Sequence, residues 1–340
     1  MHCISSICDR AYGKRIPACQ TLKLEEHVLS PPNIEHYSVM LREVLDWLNL
    51  QAGQRVLDCT LGGAGHSLEM LKAVGSQGFL WAIERDPQTL ERARIKLESL
   101  GYPFQLIPSN FAELAFLAEQ YGISELDAVL LDLGTSLFQL KEPERGFSFL
   151  NEGPLDMRMN PQEPVPTAAD LVNHLSEAEL TRIFQVYGEE RMARPIARAL
   201  VATRGKTPFV TTIDLAQAVE KVMPRRGQKL HPATRVFQAL RIAVNGELDA
   251  LERVLPVAVK LLKPGGRLAV IAFHSLEDRP VKLFMRKLAT DCLCPPRQPI
   301  CTCQHRAQLR LLTRAVKPSE AEVLENSPSR SARLRVAEKL

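Results

Sequence analysis

No stretch of this 340-residue chain approaches the ~18 consecutive apolar residues of a membrane helix, so a membrane-spanning protein is not expected. The first 33 residues lack the apolar core of a signal peptide. Their few serines and three acidic residues argue against a transit peptide. With weak periodicity and Pro31-Pro32 near their end, they read as a loose arm. A disulfide framework is also missing. Of eight cysteines, Cys3, Cys8, Cys19 and Cys59 are scattered, and no secretion signal accompanies them. The other four form Cys292-x-Cys294 and Cys301-x-Cys303, with His305 nearby. Clustered thiols suit zinc, but one residue between ligands is tighter than the usual C-x₂₋₄-C spacing. The expectation is therefore an unliganded Pro/Cys loop and no metal.

Net charge is small, at +4, but it is unevenly distributed. From Arg182 to Arg241 there are twelve Lys/Arg against four Asp/Glu, so that stretch carries +8 and the rest of the chain −4. A localised basic region suggests a polyanion partner, set against the plainer reading of a solvated charged surface. Apolar residues make up 45% and charged residues 24%, enough to bury an ordinary core. There is no internal repeat.

The rest of the chain is arranged around VLDCTLGGAGH (56–66). Apolar residues run into Asp58, a small-residue turn follows, and SLEMLKAV continues as a helix with Leu68, Leu71 and Val74 on one face. Strand, glycine turn and helix is how an open α/β sheet holds a nucleotide-like ligand; an ordinary tight turn is the competing reading. His36–Leu50 reads as a helix leading into this strand. Three more strand-and-helix units follow, with strands near 55–59, 78–87, 103–111 and 126–134 and helices at 88–99 and 112–120. Successive strands begin roughly 24 residues apart, which suits a parallel sheet with helices on both faces. Alternation then stops. Residues 140–175 read as a long loop or short helices, and 176–245 as helices, with TTID as a start signal. A helix at 247–262, a KPGG turn and a strand at 266–273 restore the pattern, and strands at 308–313 and 332–337 end it.

Ligands of open parallel sheets sit beyond the carboxyl ends of the strands. Those ends carry Asp58 and the turn with His66, then Glu84, then Asn110 and Phe111, then Asp132, Gly134 and Gln139, and finally His274, Ser275, Glu277 and Asp278. Glu84 lies 19 residues past Gly65, where an acid can accept from ribose hydroxyls, and Phe111 can cover a purine face. The turn G-G-A-G-H lacks a clean G-x-G-x-x-G, so spacing alone leaves a dinucleotide and S-adenosylmethionine both open, with the second favoured.

Longer motifs decide between them by likeness. DCTLGGAGHS (58–67), LLDLG…QL (130–140), ERGFSF (144–149), GPLDMRM (153–159), YGEER (187–191), HPATRVFQALRIAVNGEL (231–248), FHSLED (273–278) and RSARLRVAE (330–338) occur in order. Through them the chain resembles the bacterial small-subunit (16S) rRNA cytosine-N4-methyltransferase family from His36 to its end. The resemblance implies a class I S-adenosylmethionine-dependent methyltransferase, a Rossmann-like α/β fold with an inserted all-helical domain. Outside the arm at 1–33, which the resemblance does not cover, it implies a methyltransferase domain from 34–139 plus 246–340 and a helical insertion at 140–245 for RNA recognition. The implied reaction is methylation of the exocyclic amine of a cytidine in the decoding region of small-subunit rRNA. The implied partner is that rRNA within the small ribosomal subunit, in the cytoplasm; the sequence leaves oligomeric state open, a homodimer included.

By matching motifs, cofactor contacts fall on Ala64, Gly65, His66, Glu84, Phe111, Asp132 and Gln139. Asp132 and Glu277 are the candidates for accepting the amine proton, with Asp278 beside Glu277, while His274 and Ser275 act as positioning groups. The chain departs from the family pattern after strand four, where DLGTSLFQLK replaces D-L-G-V-S-S-P-Q-L-D, and in ERD for DRD at Glu84. Two rivals remain. A DNA amino-methyltransferase would carry an Asp/Asn-Pro-Pro-aromatic run after strand four, and none is present. A non-catalytic RNA-binding assembly factor would not need the intact 58–67 turn.

Overall fold

Alternation at single-residue spacing builds the centre of the molecule. Val56 faces one side of the sheet and Leu57 the other; Ala128 and Leu130 share the first side, Val129 and Leu131 the second. All are fully buried, as strands covered on both faces require. The computed structural model describes residues 38–340 apart from 225–229, 296, 297 and 299. The arm, with Cys3, Cys8 and Cys19, and Arg225, Arg226 and Lys229 of the basic stretch lie outside the described residues.

Helix α1 (Leu41–Leu48) leads to β1 (Arg55–Asp58), α2 (Gly65–Val74), β2 (Phe79–Glu84), α3 (Pro87–Glu98), β3 (Phe104–Pro108), α4 (Leu114–Tyr121) and β4 (Leu126–Asp132). Then come α5 (Leu137–Lys141), α6 (Ala168–His174), α7 (Glu177–Val186), α8 (Ala193–Arg204), α9 (Thr212–Val222) and α10 (Thr234–Asn245). The sheet resumes through α11 (Glu247–Leu261), β5 (Leu262–Ala272), α12 (Ser275–Leu288), β6 (Leu309–Leu311), α13 (Glu320–Glu325) and β7 (Arg333–Lys339). Strand order is β3-β2-β1-β4-β5-β7-β6. The first five are parallel; β7 runs antiparallel to both β5 and β6. The order reverses between β1 and β4, which opens a crevice at their carboxyl ends.

One apolar layer packs α4, α11 and α12 on the sheet, and the opposite layer packs α1, α2 and α3. A third core draws only on residues between Phe147 and Val244, with Leu180, Phe184, Leu200, Leu215 and Leu240 at its centre. Three of its helices start on reciprocal caps: Thr167 with Asp170, Ser176 with Glu179, and Thr211 with Asp214 within TTID. The chain enters this region through two close approaches. A Cβ on Gly153 would sit 1.8 Å from the Pro143 carbonyl, and one on Gly146 2.3 Å from that of Pro154. That is why ERGFSF and GPLDMRM carry glycine there. Polar links join the helical region to the sheet. The Arg85 guanidinium donates to Glu163 and to the Asn245 carbonyl, and Arg145 meets Asp86 at 2.6 Å.

Three local expectations need correction. The first helix starts later than the pattern suggests, because Met40 takes a left-handed conformation with φ 55°. KPGG lies within the span of β5, and its turn appears as a break in register: Leu126 pairs with Leu262, but Ala128 already pairs with Arg267. Helix α12, absent from the sequence reading, begins without a side-chain cap at His274 and holds Pro280 in its first turns. The signals that announce a helix were missing, although its own face buries Val281 and Met285.

Candidate active site

At the carboxyl ends of the parallel strands lies a cavity of about 340 Å³, lined by Glu84 and Asp132, the last residues of β2 and β4, and by the segments that follow β1 (Cys59–Gly63), β3 (Ser109, Asn110 and Phe111) and β5 (Phe273). Beneath its floor, Asp58 is buried and accepts from Ser67 Oγ at 2.7 Å and Thr60 N–H at 2.9 Å. Burial raises its carboxyl above the ordinary value despite these bonds. Asp58 thus braces the turn; Gly62, Gly63 and His66 are what face the cavity. Ala64 takes φ 63° and caps α2 without a side-chain bond, and Gly65 is the first helical residue. Those two shape the turn while their neighbours line the wall.

Glu84 ends β2. Its Oε2 accepts from Gly62 N–H and its Oε1 from Asp86 N–H, each at 2.9 Å. Burial outweighs these bonds and lifts the carboxyl to about 7. Phe111 lines the wall from a 3-10 turn that Asn110 caps through Ala112 N–H at 3.0 Å. Gln139 sits in a capping box with Ser136 and donates to Asp86 at 3.2 Å.

Asp132 ends β4. Its N–H donates to Thr60 Oγ1 at 2.6 Å, and its Oδ2 stands 3.5 Å from His66 Nδ1, whose other ring nitrogen is 3.1 Å from the Val39 carbonyl. Its Oδ1 is buried with no hydrogen-bond partner among the described residues. Burial pushes this carboxyl well above the usual carboxylate range, and the negative charges of Asp58 and Glu277 push it further. Glu277 also lines the cavity but behaves oppositely. Burial would raise it, yet His274 at 3.1 Å, Arg241 at 3.9 Å and the Phe273 N–H at 2.8 Å together hold it below its ordinary value.

The remaining candidates fall elsewhere. His274 and Ser275 line an adjoining groove, and Ser275 Oγ donates to Glu189 at 2.7 Å. Asp278 is claimed by Arg335 at 2.7 Å and by Arg333. Two arginines of the basic stretch are already paired: the half-buried Arg241 meets Glu247 at 2.8 Å, and Arg204 donates to the Val172 carbonyl at 2.6 Å. Sequence reading also missed the buried pair of Asp86 and Arg145, and Asn245, which ties Met157 and Met159 to α10. These residues sat inside quoted motifs, yet nothing local marks a pairing between residues 59 positions apart.

The sequence pattern of the MraW methylase family matches residues 33–340. The chain belongs to the MraW methylase family. Among curated relatives, a protein named Ribosomal RNA small subunit methyltransferase H from Thermomicrobium roseum is 51% identical over 313 residues, covering 91% of this chain and 95% of that one. Its namesake from Trichlorobacter lovleyi is 49% identical, covering 90% and 98%. A solved rRNA methylase from Streptococcus thermophilus aligns over 89% of this chain and 98% of its own, with 11% identity and a TM-score of 0.40. The strand order is that of a class I, Rossmann-like methyltransferase. MraW methylases use S-adenosyl-L-methionine. The cavity's lining is compatible with it: Glu84 offers a carboxyl, Phe111 an apolar face, and Asp132 an unpartnered oxygen.

Proposed function

We propose that this MraW methylase transfers a methyl group from S-adenosylmethionine to the exocyclic N4 amine of a cytidine in the decoding region of small-subunit rRNA. The observation that carries the reading is the buried, unpartnered Oδ1 of Asp132 at the end of β4, in a cavity with Glu84 and Phe111. S-adenosylmethionine supplies an electrophilic methyl on a sulfonium. The chain has to align the amine for in-line attack and exclude water. A cytosine amine is a weak nucleophile because its lone pair is delocalised. An acceptor on its N–H favours pyramidalisation and then takes the proton. Asp132 suits that task, since its raised carboxyl gives a base stronger than an ordinary aspartate. Glu277 stays ionised and holds His274 and Arg241 in position. The base must leave its stack to enter. Such a substrate implies action in the cytoplasm, on rRNA within the small ribosomal subunit. Mass spectrometry of small-subunit rRNA from cells with and without the gene tests the assignment; an unchanged cytidine pattern defeats it.

Glu84 is assigned to the ribose. Hydroxyl donors favour its ionised form, while the free protein holds the proton up to about pH 7. Affinity for S-adenosylmethionine should therefore rise with pH, with the dissociation constant falling roughly tenfold from pH 6 to pH 8. Glu84→Gln should flatten the curve in calorimetry. A flat wild-type curve would move the ribose elsewhere. In the free protein the sign is reversed for stability. Between pH 4.5 and about 7 the folded chain keeps a proton that the unfolded chain releases, so this group's contribution falls as pH rises.

The basic stretch at 182–241 was the expected RNA grip. Its exposed Arg194 and Arg198 lean on Glu177, at 3.9 and 3.5 Å. A better-positioned grip is the groove beside the cavity, which shares Phe273 with it and carries exposed Lys282, Lys317 and Arg330. Replacing these three with alanine should weaken binding to small subunits and flatten the log–log salt dependence by about 0.7–0.9 per lost phosphate contact. Cofactor affinity should stay unchanged. Wild-type affinity and slope would return the grip to the helical insertion, which we assign to RNA recognition together with this groove.

A further inference from the structure

The four clustered cysteines lie far from this chemistry. Helix α12 begins at the cavity rim with Ser275 and ends at Leu288, about 21 Å along its axis. The loop that follows folds back to β6 and brings two Cys-x-Cys segments face to face. Cys292 Sγ is 3.5 Å from Cys301 Sγ and 3.8 Å from Cys303 Sγ. Cys301 Sγ is 3.6 Å from Cys303 Sγ and 4.0 Å from Cys294 Sγ. All four sulfurs fall within 4.8 Å of one another.

A tetrahedron with metal–sulfur bonds of about 2.3 Å has edges of about 3.8 Å, and the four sulfur–sulfur distances above, 3.5 to 4.0 Å, bracket that value. A disulfide needs about 2.05 Å. Neither Cys-x-Cys nor its usual wider form decides the matter by spacing alone. In extended chain, residues i and i+2 point to the same side, so each Cys-x-Cys can offer both sulfurs to one point. Two such arms, joined through a proline-containing loop, supply four ligands.

Backbone amides complete the surroundings. Leu293 N–H donates to Cys303 Sγ at 3.3 Å and Thr302 N–H to Cys294 Sγ at 3.4 Å. Among the described residues of the loop, Cys292, Cys301 and Cys303 are exposed, and so are the apolar Leu293 and Ile300. Ordering a surface loop costs roughly 1–2 kcal/mol per residue in backbone entropy, and thiol contacts alone do not offset that.

We propose that Cys292, Cys294, Cys301 and Cys303 form a tetrahedral structural zinc site that closes the loop between α12 and β6. This reverses the expectation of an unliganded loop. Four thiolates fill the coordination shell, so no position is open for catalysis, and the site acts as a staple. Binding expels the thiol protons to solvent, so occupancy should decline at acid pH. The Ala307 N–H bond to Asp291 at 3.3 Å and the His305 ring nitrogen 3.0 Å from the Lys287 carbonyl would fasten the staple to the end of α12.

The test is elemental analysis and native mass spectrometry of the full chain, purified under reducing conditions with zinc present. The expected result is one zinc per chain, lost in Cys301→Ser/Cys303→Ser while S-adenosylmethionine affinity by calorimetry is retained. Cys292→Ser, a milder change, should lower zinc occupancy and raise the number of thiols reactive at neutral pH. A metal-free wild type, bound iron in place of zinc, two disulfides among these residues, or one zinc still held by the double variant would each overturn the proposal. The last outcome would put the metal on other cysteines.

Discussion

Asp132→Asn should turn over about 10²–10⁴-fold more slowly than the parent chain at saturating S-adenosylmethionine and small-subunit RNA, the range lost when a positioned proton acceptor is removed. Asparagine keeps the shape and one acceptor oxygen but cannot take a proton. The rate loss should therefore appear in turnover, with little change in cofactor affinity. Wild-type turnover in this variant would remove Asp132 from the mechanism. The pH profile gives a second handle. A base works ionised, so turnover should rise with pH and level off above the Asp132 carboxyl's own titration. Burial, followed by the charges of Asp58 and Glu277, shifts that limb above the ordinary aspartate range. Glu277→Gln removes one of those charges and should move the limb toward lower pH. The limb of Glu84, set near 7 in the free protein, belongs to cofactor binding and drops out once cofactor saturates. Two titrations in one cavity are thus separable by the kinetic constant in which each appears.

The fold was legible because its signals are local and repeated. Apolar runs ending in Asp58, Glu84 and Asp132, a regular strand interval and the glycine turn each report on a few neighbouring residues, and the parallel sheet follows from their repetition. The strand ends and the TTID cap needed no knowledge of distant contacts. What stayed hidden depends on distance or on a missing signal. Arg241 looks like any basic residue on a helix, and only the fold brings Glu247 and Glu277 to neutralise it. Helix α12 has no cap and an early Pro280, so local reading passes over it. The cysteines were visible, but whether two arms face each other is a property of the loop's path. Lys282, Lys317 and Arg330 come from three segments, so a charge count along the chain does not gather them into one groove.

The second large effect concerns stability. Arg145→Ala should lower the unfolding free energy by about 3–5 kcal/mol, the cost of leaving one partner of a buried ion pair alone. Asp86 is fully buried and the Arg145 side chain is 8% exposed, with 2.6 Å between them. The pair belongs to a network. Asp86 also accepts from Gln88 N–H at 3.0 Å and from Gln139 at 3.2 Å, while Arg145 donates to the carbonyls of Met159 at 2.8 Å and Arg158 at 3.2 Å. One guanidinium thus joins the end of β2, the segment carrying Gln139 and the entry to the helical region. Removing it strands the Asp86 charge with two neutral donors and leaves two carbonyls short of a partner. Arg145→Lys should recover only part of the loss, because an ammonium keeps the charge but cannot fork to three acceptors. Urea denaturation checks this: the midpoint should fall in Arg145→Ala with an unchanged slope, and Arg145→Lys should lie between it and wild type. An unchanged midpoint would mean that solvent or a neighbour replaces the guanidinium. The link to function runs through Asp86, whose N–H donates to Glu84 and whose carboxylate accepts from Gln139. S-adenosylmethionine binding should therefore weaken in Arg145→Ala even under conditions where the chain remains folded, and recover in step with stability in Arg145→Lys.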